Sequence, residues 1–241
     1  MNQIKSSREL KAITREQLLG NYKVTILSYA IMQCIISGSL NFVESQTNLS
    51  SAASRFIYWA VYLILTLLTA VFSIGQYRLY RKLSAGEELS LKDMWYGFSC
   101  HPDKAIIIQF ITLILCFVCG IPFLVVAGIF ALTGQYVLFL PIGLFFILFL
   151  VGTVYVQLTL SQALYLLMDY PEETSVALLK RSARMMKGHK GKLFYLNMSF
   201  IGILALAVCS LGIGLLWAYP YMTGTRTLFY EELIAQEKAW D

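Results

Sequence analysis

Two long stretches, Ala105 to Leu132 and Pro141 to Met168, contain no Asp, Glu, Lys, Arg or His. Each exceeds the roughly 20 residues needed to cross a hydrocarbon core about 30 Å thick. A helix apolar on every side has no face to offer to water, so it belongs inside a large core or a bilayer. Composition decides between the two: 58% of the 241 residues are hydrophobic and 14% are charged, against about a quarter charged in soluble domains. A soluble fold of this length cannot hide that much apolar surface. These are expected to be membrane helices.

Two further apolar runs lie earlier, near 22–43 and 56–77. The last, Leu193 to Tyr230, is too long for one span. It divides at "SLGIG" (Ser210 to Gly214), where glycines permit a tight turn. The expectation is therefore an all-α polytopic membrane bundle in a single domain over 1–241. It has six transmembrane helices, at about 22–43, 56–77, 105–132, 141–168, 193–210 and 213–230.

Charge sets the orientation. With the N-terminus inside, eighteen of the nineteen Lys and Arg fall on one side and only Arg55 on the other. Inner loops retain positive charge during insertion, so both termini are expected to be cytoplasmic. The densest basic stretch, "KRSARMMKGHKGK" from Lys180 to Lys192, serves that topology. It also follows acidic residues Asp169, Glu172 and Glu173 and closes on Gly188, a charge order that suits a helix. Val176, Leu179, Ala183 and Met186 fall on one face and Lys180, Arg184 and Lys187 on another. Such a helix is expected to lie in the inner headgroup layer, with Lys180, Arg181, Arg184 and Lys187 as candidate contacts for lipid or a partner. Nucleic acid is not an expected partner, because no recognised fold or stacking platform accompanies the charge.

The same arrangement occurs three times. "SSRELKAITREQLLGN" before the first span offers Ser6 with Glu9 as a capping box and Leu10 with Ile13 as an apolar stripe. "SLKDMWYGF" before the third offers Ser90 with Asp93, then Leu91, Met94, Trp95 and Phe98 at helical spacing. The helix ending at Gly188 precedes the fifth. The even-numbered spans also end alike, in "GQYRLY", "SQALY" and "RTLFY", each with a Glu pair nearby. The unit expected is a short cytoplasmic amphipathic helix followed by a hairpin of two spans, used three times.

On "LLGNYK", "MDYPEETSVALLKRSARMMKGHKGKLFYLNMSFIGIL" and "GIGLLWAYPYMTGTRTLFYEEL" the chain resembles the domain-of-unknown-function 975 family of integral membrane proteins. The resemblance covers nearly the whole chain. It implies a bacterial plasma membrane and a multispan helical fold, and it brings no catalytic residues.

Little else in the sequence carries chemistry. His101 and His189 are the only histidines, and Cys116 with Cys119 ("CFVC") lies in an apolar span where Cys acts as a small hydrophobe, so no metal and no cofactor is expected. No ionisable residue sits mid-span, where proton relays and pumps carry one. Amides remain: Gln33, Gln76, Gln109, Gln157, Gln162 and Asn197, which either bond helix to helix or line a polar path. Gln109, Gln157, Gln162 and the Pro220 region are the candidate lining of a cavity. Arg226, the one cation within the sixth span, is expected to snorkel to the headgroups. No nucleophile and base pair can be argued, so the chain is not expected to be an enzyme. The leading expectation is an adaptor or envelope factor that contacts lipid headgroups or a membrane protein partner. The alternative is a transporter or exporter of a small solute, lipid or peptide.

Overall fold

A computed structural model describes residues 5–46 and 51–238; among these there is no strand. The chain runs through α1 (Ser7–Leu18), α2 (Tyr22–Gln46), α3 (Ala52–Ala85), a 3-10 turn Leu91–Trp95 leading into α4 (Tyr96–Ser99), and α5 (Pro102–Thr133). It continues through α6 (Phe139–Leu160), α7 (Ala163–Asp169), α8 (Ser175–Met185), α9 (Lys190–Met198), α10 (Ile201–Cys209) and α11 (Leu215–Lys238). Five segments are long and apolar enough to cross a membrane: Tyr22–Gln46, Ala52–Ala85, Pro102–Thr133, Tyr136–Asp169 and Lys190–Cys209. The protein is an all-helical chain of membrane-embedding composition.

The region expected as a sixth span forms α11, which is long but polar, carrying Arg226, Glu231, Glu232 and Glu237. Its surroundings account for that composition. α11 packs against α1, α2, α3 and α10, and Thr223, Gly224, Thr225, Thr227, Phe229 and Tyr230 are all buried. The hydroxyls of Thr225 and Thr227 donate to the carbonyls of Tyr221 and Thr223 one turn back. A helix enclosed by protein can carry such groups because its own backbone satisfies them. Its start is set by the turn over 210–214, where Gly212 adopts φ 85°, a left-handed conformation that glycine enters without a Cβ clash.

The short helices before the spans are seated on the long helices, and small residues make room for the contacts. α1 begins with the expected capping box of Ser6 and Glu9, and it lodges on α11 where Gly224 leaves room for Thr14: a Cβ there would lie 2.8 Å from the Thr14 methyl. The turn before α4 carries the Ser90 and Asp93 capping box. It presses on α3 so closely that Cβ atoms at Gly75 and Gly97 would each lie 1.9 Å from a backbone oxygen, of Met94 and Val71 respectively. α8, capped by Thr174, sits where α6 gives way to α7. Ser182 Oγ donates to Thr159 O at 2.9 Å and accepts from the Gln162 N–H at 3.3 Å. The turn before α4 thus rests on α3, and α8 on the break between α6 and α7, each on the long segment before it, and α1 closes the circuit on the last.

One expectation needs correcting. α8 does not lay its apolar face on headgroups: its buried side is Ser175, Leu178, Leu179, Ser182 and Met185 against α5, α6 and α7, and Val176 is exposed. The small Ser182 lets it approach and bond the interrupted helix, which an apolar membrane surface cannot do. The stretches expected as spans at 141–168 and 193–210 correspond to segments long and apolar enough to cross a membrane, and each is interrupted once. The first breaks at Ser161 and Gln162 and the second at Ser199 and Phe200. Side chains from the short helices take up the freed backbone groups, Ser182 at the first break and Lys11 Nζ on Ser199 O at 2.9 Å at the second. Broken helices at membrane depth require such partners.

Candidate functional site

Six helices line a polar cavity of about 540 Å³. The spacing along each explains its lining. On α3, Thr69, Ser73 and Tyr77 follow at intervals of four and share one face. α5 contributes Ile108, Gln109 and Thr112; α6 contributes Thr153 and Gln157, again four apart; the α6 to α7 break supplies Gln162. Asn197 on α9 and Arg226 on α11 complete the wall. The volume falls in the range of small-molecule sites, roughly 300–1,000 Å³.

Part of this polarity is already spent. Ser73 and Thr112 hydroxyls donate to the carbonyls of Thr69 and Ile108, and Gln157 Nε2 approaches Cys116 Sγ at 3.8 Å. Gln162 Nε2 donates to Ser161 Oγ, while its Oε1 and Thr153 Oγ1 are buried without a hydrogen-bond partner. Arg226 Nε donates to Asn197 Oδ1 at 3.0 Å. The guanidinium is therefore held in the cavity wall by an amide and does not snorkel outward, contrary to the sequence expectation, because Asn197 on α9 meets it there.

The cavity has a mouth between α6 and α9. Val154, Phe194 and Met198 line it and are exposed, as is Gln157. These side chains share the surface on which α6 displays Leu144, Ile147, Leu148 and Val151. Gln109, Gln157 and Gln162 come together here as the sequence pattern allows. Pro220 does not: it is buried inside an α11 that continues through it, and it does not line the cavity. Without an N–H it forgoes one bond to the preceding turn, and the packing around α11 holds the helix together regardless.

A family model described as a protein of unknown function (DUF975) matches residues 1–237. The chain belongs to the DUF975 family. No curated protein and no solved structure matches it.

The basic face of this DUF975 protein divides into spent and exposed cations. Arg181 is spent: it pairs with Glu173 at 2.8 Å and Glu237 at 3.1 Å, and its guanidinium lies 3.7 Å from the centre of the Tyr170 ring. Those two carboxylates, with its hydrogen bonds to them, hold its pKa above the ordinary arginine value despite burial. It is an internal clamp between α8 and α11, which corrects its place among the contact candidates. Lys180, Arg184 and Lys187 remain exposed. Nearby, Lys82 and Arg78 converge on Asp93, and Asp169 at the end of α7 takes Arg81 at 2.6 Å and the Tyr230 hydroxyl. Asp169 therefore ties α7 to α3 and α11 instead of capping a helix start.

Sequence reasoning missed Arg226 as a cavity residue. The available signal was its pairing with Asn197, the lone asparagine of the fifth apolar segment, but their separation of 29 positions hides it.

Proposed function

We propose that this DUF975 protein binds an amphipathic, lipid-like small molecule in the polar cavity and moves it, as a carrier or exporter without enzymatic activity. It would sit in a bacterial plasma membrane with six spans in three hairpins, α11 included, and with both termini cytoplasmic. The observation that carries the reading is the cavity: amides on α5, α6 and the α6 to α7 break face a common space whose mouth is flanked by exposed apolar residues. A water-soluble solute needs a path from an aqueous face. An amphiphile can enter sideways, polar end inward, past Val154, Phe194 and Met198.

Proteoliposomes containing the full chain and a short-chain fluorescent lipid test this directly. Protein-dependent transbilayer movement is expected, and Gln157→Leu should reduce it about tenfold or more by removing a polar group at the mouth. Movement equal to that in protein-free vesicles would overturn the reading.

A second reading, an adaptor using headgroups or a protein partner, is favoured by the exposure of Lys180, Arg184 and Lys187. Replacing all three by Gln should then weaken binding to anionic vesicles while leaving lipid movement intact. Unchanged vesicle binding would exclude it.

A further inference from the structure

We infer that the cavity selects an anionic phosphate headgroup, with Arg226 as the residue that binds the phosphate; this rests on the cavity reading above and names its ligand class. Arg226 enters no ion pair among the described residues. Among the described residues its one hydrogen bond runs from Nε to Asn197, so the rest of the guanidinium fork is left for another acceptor. No Asp or Glu among the described residues lines the cavity. A guanidinium held in an apolar bundle without a carboxylate is costly, and such a residue marks a site where an anion completes the charge balance.

The remaining lining adds donors for an anionic headgroup. Gln109 and Gln157 present amide groups to the same space, one on each of two facing helices. With the guanidinium fork, which meets the two free oxygens of a phosphodiester in two parallel bonds, they supply further hydrogen-bond donors to an anionic headgroup. An independent observation points to an occupant. Gln162, 3% exposed, and Thr153 both belong to the cavity wall, and Gln162 Oε1 and Thr153 Oγ1 are buried there without a hydrogen-bond partner. Buried polar atoms of this kind are costly to leave unmatched, and a headgroup or its accompanying water supplies the missing donors. The mouth then has its place: the phosphate sits at Arg226 while acyl chains leave between α6 and α9 along Val154, Phe194 and Met198.

The full chain in nanodiscs of mixed composition provides the test. Phosphatidylglycerol, zwitterionic phosphatidylcholine, uncharged diacylglycerol and oleate are offered together, and co-purifying molecules are counted by native mass spectrometry. Phosphatidylglycerol is expected to exceed phosphatidylcholine by about tenfold. Arg226→Gln should abolish that excess, and Arg226→Lys should retain part of it, since the charge stays while the fork is lost. Lys guards against a variant that simply fails to fold. An unchanged preference in Arg226→Gln, or oleate retained ahead of phosphatidylglycerol, overturns the inference. Glycerol 3-phosphate is added as a soluble competitor: displacement of phosphatidylglycerol by it identifies a free phosphate ester as the source, and resistance identifies a lipid. Gln157→Trp, which fills the mouth, separates the two levels of the argument. If it expels diacylglycerol and both phospholipids alike while none is preferred, the cavity reading stands and the phosphate inference falls. If it expels nothing, the cavity reading itself falls.

Discussion

α6 and α11 have nearly the same length, 22 and 24 residues, and opposite surroundings. None of the residues of α6 is buried, and its sequence is almost uniformly apolar. α11 has ten buried residues, among them three threonines, and carries the arginine of the cavity. The usual rule for soluble proteins puts apolar residues in and polar ones out. Here it is turned around, because the medium outside α6 is suited to hydrocarbon and the medium around α11 is other helices with polar atoms to share. Hydropathy therefore reports what a helix faces, and α11 reads as a poor membrane segment because so little of it faces outward.

That contrast can be broken most sharply by truncating one aromatic in each helix. Phe229→Ala in α11 should cost about 3 kcal/mol by leaving a cavity in a packed centre, while Phe146→Ala in α6 should cost under about 1 kcal/mol. Apparent thermal midpoints in one detergent would check both, and equal losses would show that α6 is covered by something. A comparable but smaller difference is expected for added methyl groups. Gly97→Ala drives a Cβ into the Val71 carbonyl and should destabilise by roughly 2–3 kcal/mol. Gly143→Ala meets nothing within 4 Å and should be neutral or slightly stabilising.

Arg181→Ala sharpens the comparison at the basic end, where α11 is fastened to α8. Losing the clamp on Glu173 and Glu237 should cost about 1–2 kcal/mol, discounted because both carboxylates are partly exposed. The same substitution at exposed Arg184 should change stability little. The smallest effect concerns pH. Burial, with Lys192 nearby, lowers the pKa of His189, whose Nδ1 is buried without a partner. A lowered folded value means the unfolded chain takes up the proton first. The stability contribution is then complete above about pH 6.5 and is lost as pH falls through the folded value. Between pH 8 and pH 5.5 the thermal midpoint should fall by about 2 °C more in the wild-type chain than in His189→Gln.

Much of the architecture was legible because it depends on neighbours in sequence. The uncharged runs announced α5 and α6, and the serines at 6 and 90 with acids three positions on announced the caps that the helices use. Gln109 and Gln157 were legible as a polar pair because nothing else ionisable or amide-bearing interrupts their segments at that depth. What failed depended on distant atoms. The break at Gln162 requires Ser182, and the one at Ser199 requires Lys11, whose position 188 residues away no local pattern encodes. The face of α8 was misassigned for a similar reason: a hydrophobic period cannot say that a serine will be sought by a broken helix. Arg226 was read by its distance from the end of an apolar run, when its partner on α9 decides where it points.

The circuit of seats carries an implication for biogenesis. α1 is the first helix described in the chain, yet the notch at Gly224 that receives Thr14 belongs to the final one. Until α11 has been made Thr14 lacks that notch, whereas Leu18 can already pack on Leu79, Tyr80 and Leu83 of α3. The opening segment can take that seat only once α11 itself has been made, so docking of α1 follows synthesis of every helix between them.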